Sequence, residues 1–189
     1  ILGATEQDRP EDIEIHKTTG HVFIALTRNP KKGNKYGSLL KLEESKDHDS
    51  LGFKASTWIS GGLETGMACP DNLCFDKKGN LWVTVDIHEK EIGKTDYKDF
   101  GHNGLFYIPM SGPQAGKPIL MASAPRDAEL TGPWFTPDYK TLFLSVQHPG
   151  SGTRHNLSKP TSTWPDGPGH MPKPSVIAIQ GELFDKLMT

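Results

Sequence analysis

Apolar and polar residues alternate with a period of two over short runs, and the 3.6-residue period of a helix is nearly absent. Runs rich in β-branched and aromatic residues, bounded by Gly, Pro, Asn and Asp, fall at 11–16, 21–27, 38–43, 53–59, 73–75, 81–86, 104–109, 118–122, 132–136, 141–147 and 175–179. Each predicts a strand. The one helix candidate is the tail 182–188, too short to hold without docking on something else. The pattern predicts an all-β chain.

Overlaying the strand pairs exposes an internal repeat. One copy runs from Arg9 to Thr27, a second from Cys69 to Asp86 and a third from Thr131 to Gln147; anchored on Ile15, Phe75 and Phe135, they recur every 60 residues. Each copy is a short strand, a tight turn (Thr-Thr-Gly, Lys-Lys-Gly-Asn or Pro-Asp-Tyr-Lys) and an apolar strand that alternates faces. A lone hairpin cannot bury such a face. In the first two copies a further strand pair follows, so each unit has about four strands, the arithmetic of a β-propeller blade. The spacing exceeds that of compact blades, and the polar stretches 29–36 and 88–102 are the places for the extra residues. The units read as 9–62, 69–124 and 129–181 within one domain over 1–189, with a long loop at 150–174. That loop reads either as a lid over a site or as a disordered segment, with Trp164 its one bulky anchor. About three blades cannot close a ring, which takes roughly 4–8, so the fold expected is part of a larger propeller, with open edges that invite self-association, a homodimer included.

Composition narrows the partners. With 21 Lys+Arg against 23 Asp+Glu and a net charge of −2, nothing marks a nucleic acid or an anionic membrane as partner. Cys69 and Cys74 match neither a redox pair nor a zinc knuckle and read as small buried hydrophobes. No apolar run is long enough to span a bilayer. The chain opens at Ile-Leu-Gly-Ala, which reads as the interior of a longer protein.

In a propeller the residues that head each innermost strand line one mouth of the central channel. Those phrases carry Arg9, Glu11 and Asp12, then Asp71 and Asn72, then Glu129 and Thr131. Converging carboxylates and an amide suit a hard cation such as Ca²⁺, which takes 6–8 oxygen ligands, and a guanidinium beside them is shaped to clamp a phosphoryl or carboxyl group. Each has a plainer reading: an Asx-turn for Asp71 and Asn72, a turn cap for Asp12, a surface ion pair between Arg9 and Glu11, a turn hydrogen bond for Glu129. His148, just past the third apolar strand, is a ligand, a general acid or a loop hydrogen-bonder; His155 and His170 read as solvated. There is no GxSxG elbow, phosphate loop, HExxH helix or GxGxxG fingerprint, which leaves metal-assisted chemistry or none.

Arg-Pro-Glu-Asp at 9–12, Asp-Asn-Leu-Cys-Phe-Asp at 71–76, and the more specific stretch from Glu129 to Gly150 resemble the C-terminal part of the PhoX-type alkaline phosphatases. The resemblance implies a six-bladed propeller, exported to the periplasm, that hydrolyses phosphomonoesters with a calcium and iron cluster at the channel mouth. By motif it implies that Glu11 bridges metals and Arg9 clamps the substrate phosphate as the catalytic pair, and it makes Glu129, Asp71 and Asn72 further metal candidates. It also implies that an iron-binding cysteine comes from an N-terminal half outside this chain, so that the 189 residues alone hold an incomplete, inactive site. Two other readings fit the residues: a propeller that binds a ligand or protein without chemistry, and a calcium-dependent lactonase- or esterase-like propeller.

Overall fold

A computed structural model describes residues 3–45 and 50–188. The opening Ile1 and Leu2, from which the chain was read as the interior of a longer protein, lie outside the described residues. Eleven strands and one helix follow in order: β1 (Pro10–Ile15), β2 (Val22–Leu26), β3 (Ser38–Glu44), β4 (Phe53–Ser60), β5 (Pro70–Phe75), β6 (Leu81–Val85), β7 (Gly104–Ile108), β8 (Ile119–Ser123), β9 (Glu129–Phe135), β10 (Leu142–Gln147), β11 (Ser175–Ile179) and α1 (Glu182–Met188). They form three antiparallel sheets, β1-β2-β3-β4, β5-β6-β7-β8 and β9-β10-β11. The eleven expected strands and the helical tail are all present, and the three sheets carry one copy of the repeat each.

Alternation builds the stack. On β6, Leu81, Val83 and Val85 face the first sheet and meet Phe23, Leu39, Leu73, Phe75 and Phe106. Trp82, on the opposite face, joins Leu105, Tyr107, Leu130, Phe135, Leu142 and Leu144 against the third sheet. The middle sheet is therefore buried on both faces, and β6 and β7 have no exposed position. Phe184 and Met188 of α1 close the second interface, which supplies the docking that seven residues need to stay helical. Each large side chain buried here contributes roughly 1.5–3 kcal/mol.

The turn between β5 and β6 shows how local chemistry fixes the hairpin. Asp76, 3% exposed, accepts the backbone N–H groups of Lys78 (2.8 Å) and Asn80 (2.9 Å) and the indole N–H of Trp82 (3.3 Å). Gly79 sits at φ +82°, where a Cβ would come within 2.4 Å of His16 Nε2, so the close approach of the two hairpins requires glycine.

The stretch 88–102, expected as a polar insertion, is not only polar. Its Tyr97 and Phe100 fold back and are buried with Cys69, Ala68 and Ile87, and Tyr36 of the stretch 29–36 packs against them. The loop 150–174 is held at several points: Thr161 Oγ1 donates to Asp127 at 2.5 Å, Arg154 pairs with Glu89 at 3.1 Å, and Trp164 Nε1 donates to Ser175 at 2.7 Å. His155 and His170 are exposed.

Candidate metal centre

Two of the repeat phrases enter their strands through the same unusual backbone. Arg9 and Cys69 are non-glycine residues in the left-handed region, at φ 57° and 56°, and a register shift follows each, between Pro10 and Asp12 and between Pro70 and Leu73. A bulge of this kind turns a side chain out of the ladder. It frees Glu11 and Asp71 at the head of their strands. Because β5 and β6 are antiparallel, the residue that closes β6 returns beside the head of β5: the N–H of Asp86 donates to Cys69 O at 2.9 Å. Glu129 heads β9, opposite Gln147.

Asp71, Asp86 and Glu129 converge, each with a carboxylate oxygen within 4.8 Å of the others, and all three are half-buried. The electrostatics record the crowding. Burial first, then the charges of Glu11 and Asp86, push Asp71 up to about 6, against the pull of Arg9. Burial, a hydrogen bond with Asp86, and the charges of Asp86, Asp71 and Glu11 push Glu129 up to about 8. The crowded Glu129 and Asp86 together thus hold a proton more tightly than free carboxyls do, and a bound cation would oppose it. Glu11 lies near enough to raise both neighbours and is itself paired with Arg9, Nη2 to Oε1, at 2.9 Å. The surface ion pair between Arg9 and Glu11 is present, and two of the heading acids, Asp71 and Glu129, meet with Asp86 beside it.

The structure sets Asn72 a different task from the others. Its Oδ1 accepts from Thr131 Oγ1 (2.5 Å) and Gly132 N (2.9 Å), and its Nδ2 donates to Asp71 Oδ1 at 3.0 Å. The amide oxygen is taken up by the third sheet, and the amide nitrogen orients Asp71. Asp12 likewise accepts from Ile13 N and Leu73 N, both at 2.8 Å. His148 Nε2 lies 3.6 Å from Glu129 Oε1 while its Nδ1 faces Asp127 O at 3.1 Å, an arrangement that aims the ring at the cluster.

Asp86 was missed as a site residue in the sequence. The signal was there: it ends the apolar strand of the second copy, and antiparallel pairing places that end beside the head of the preceding strand.

The donor set suits one ion better than another. Three carboxylates with no nitrogen or sulfur among them form a hard oxygen site, as Ca²⁺ prefers. Cys69 and Cys74 are not among these donors, and burial pushes Cys69 up to about 11 and Cys74 up to about 12. Their sulfurs face Tyr97 Oη and Phe75 O instead.

A family model for alkaline phosphatase PhoX matches residues 1–150. The structure is similar to that of Pseudomonas fluorescens PhoX in complex with vanadate, a transition state analogue, with a TM-score of 0.80 and 29% sequence identity; the match covers 97% of this chain and 35% of that one. The chain thus spans little more than a third of that relative's length. No curated protein matches it.

Proposed function

Since the chain belongs to the alkaline phosphatase PhoX family, we propose that its three sheets are consecutive blades of a six-bladed propeller and that its acidic mouth is part of the site of a phosphomonoester hydrolase. The observation that carries this reading is the Asp71–Asp86–Glu129 cluster beside the Arg9–Glu11 pair. The outer face of the first sheet, with Ile13 and Ile15 exposed, and that of the third, with Trp134 and Val176 exposed, are the surfaces the proposal assigns to the remaining blades.

In this reading Asp71, Asp86, Glu129 and Glu11 hold calcium, and iron draws its thiolate from the part of the protein outside this chain. Bound cations would neutralise phosphate oxygens and activate a water. The chain's own residues do the rest. Arg9 is exposed enough to swing from Glu11 to a phosphoryl group, where its fork matches two equatorial oxygens as negative charge spreads over them. A vanadate complex of the relative agrees with such a centre. Asn72 fixes the carboxylate of Asp71, and His148 stands beside Glu129 as an acceptor for the proton lost when a cation enters. No protein nucleophile is required, in keeping with the missing nucleophile motifs. By itself the 189-residue chain lacks part of the site and does not turn substrate over. Among the described residues no helix is long and apolar enough to cross a membrane. Family membership is what supports a place in the periplasm or outside the cell.

The test is phosphatase assay of the longer protein, loaded with calcium and iron, on an aryl phosphate, wild type against Glu11→Ala and Asp86→Asn. Loss of turnover in both is expected. Unchanged turnover in either would remove that residue from the site, and activity on lactones but not phosphate esters would overturn the reaction class.

A further inference from the structure

Resting on the reading of this mouth as a cation site, we propose that Thr27 is its positioning residue, the tether that sets the Arg9–Glu11 loop at a fixed distance from the Asp71 loop. Thr27 is 1% exposed and lies just past the end of β2. Its N–H donates to Arg9 O at 3.1 Å. Its hydroxyl Oγ1 donates to Pro70 O at 3.2 Å. One buried residue thus holds the carbonyl of Arg9, two residues before Glu11, through its backbone N–H, and the carbonyl of Pro70, immediately before Asp71, through its hydroxyl, on two different sheets.

The repeat shows why the position matters. Thr27 in the first sheet and Asp86 in the second make the same backbone bond, each donating its N–H to the left-handed residue that opens its own unit, Arg9 or Cys69. Their side chains then both cross to the next sheet. The hydroxyl of Thr27 goes to Pro70 O, whereas the carboxylate of Asp86 meets Glu129. The same structural position serves once as a neutral tether and once as a member of the cluster. A carboxylate at position 27 would face the carbonyl oxygen of Pro70, an acceptor that repels it; a hydroxyl can donate.

Neither bulge can hold its spacing from within. Each depends on a strained left-handed residue followed by proline, and proline offers no N–H to the ladder. The hydroxyl of Thr27 is the side-chain hydrogen bond that crosses between these two loops at the level of Pro70. Asp12 crosses lower, to Leu73 N. Removing the hydroxyl leaves Pro70 O buried without that donor and lets the Asp71 loop move relative to Glu11.

The experiment is a terbium titration of the longer protein stripped of its metals, Tb³⁺ standing for Ca²⁺ at oxygen sites, on wild type, Asp86→Asn, Thr27→Val and Thr27→Ser. Wild type is expected to bind and Asp86→Asn to lose binding. Thr27→Val, which keeps the shape and removes the donor, is expected to bind about tenfold more weakly, as when partners behind metal ligands are removed. Thr27→Ser, which keeps the donor, is expected to stay near wild type. If Thr27→Val fails to fold, Thr27→Cys replaces it, the thiol being a poor donor of similar size. Affinity unchanged in the donor-free variant, with only its melting temperature lowered, would overturn the positioning role and leave the site reading intact. Loss in Thr27→Ser equal to that in Thr27→Val would also overturn it. No terbium uptake by wild type would sink the site reading itself, and the inference with it.

Discussion

Asp12 and Asn72 make the same connection one sheet apart: Asp12 Oδ2 accepts the N–H of Leu73 at 2.8 Å, and Asn72 Oδ1 accepts the N–H of Gly132 at 2.9 Å. In both, the third residue after the left-handed opening reaches across to the head strand of the next sheet. Side-chain packing between the sheets is non-directional and does not by itself fix the level at which neighbouring head strands stand. These two bonds do.

Truncating either clasp therefore costs stability. Asp12→Ala strands the N–H of Leu73 and removes an ionised acceptor, a loss of about 2 kcal/mol; Asn72→Ala strands Gly132 N and the Thr131 hydroxyl, at roughly 1–2 kcal/mol. Urea unfolding of each variant would measure this. Asn72→Ala is also expected to weaken cation binding, because Asp71 loses the donor on its Oδ1.

The raised acids predict how the metal-free chain responds to pH. Asp71, at about 6, and Glu129, at about 8, hold protons more tightly folded than unfolded. Their contribution to stability is complete below the unfolded carboxyl range and falls as pH rises from about 4 to about 8. The melting temperature is expected to drop across that window, and less so in Glu129→Gln. Calcium at pH 8 should restore it in wild type but not in Asp86→Asn. A flat profile in wild type would show that the acids are not crowded.

Asp76 carries no chemistry but holds the central hairpin. Its carboxylate serves Lys78 N, Asn80 N and the Trp82 indole from a buried position. Asp76→Ala leaves Asn80 N and the Trp82 indole unpaired in the core and should cost about 3–5 kcal/mol, read by thermal or urea unfolding. Asp76→Asn keeps one acceptor and should cost less.

Both thiols should be silent in the native protein. Cys69 and Cys74 are buried, with their ionisation pushed to about 11 and about 12, and only a thiolate reacts at useful rates. A disulfide exchange reagent at pH 8 is expected to modify neither within minutes, and both at once in 6 M guanidinium. Rapid reaction of Cys69 in native buffer would mean that the Tyr97 and Phe100 cover opens.

Much of this could be read along the chain. The period of two placed all eleven strands, and the 60-residue repeat paired Arg9–Glu11 with Cys69–Asp71 before any contact was known. What escaped is instructive. The stretch 88–102 looked like a polar insertion because Tyr97 and Phe100 are single apolar residues among charges; only the folded-back path buries them on Cys69. Asn72 was singled out by type and place, but the bonds its oxygen accepts from Thr131 and Gly132 arise only when the sheets stack.

The sequence by itself determined the strands, their turns, the repeat and the acids heading each unit, because these rest on local propensity, side-chain alternation and turn chemistry within a few residues. The tertiary structure alone decided which acids meet. Asp71, Asp86 and Glu129 span 58 positions in the chain yet share one small volume, because hairpin pairing brings back Asp86 and the stacking of the sheets brings over Glu129. Such nearness depends on register and packing between sheets, and neither is written in any single segment.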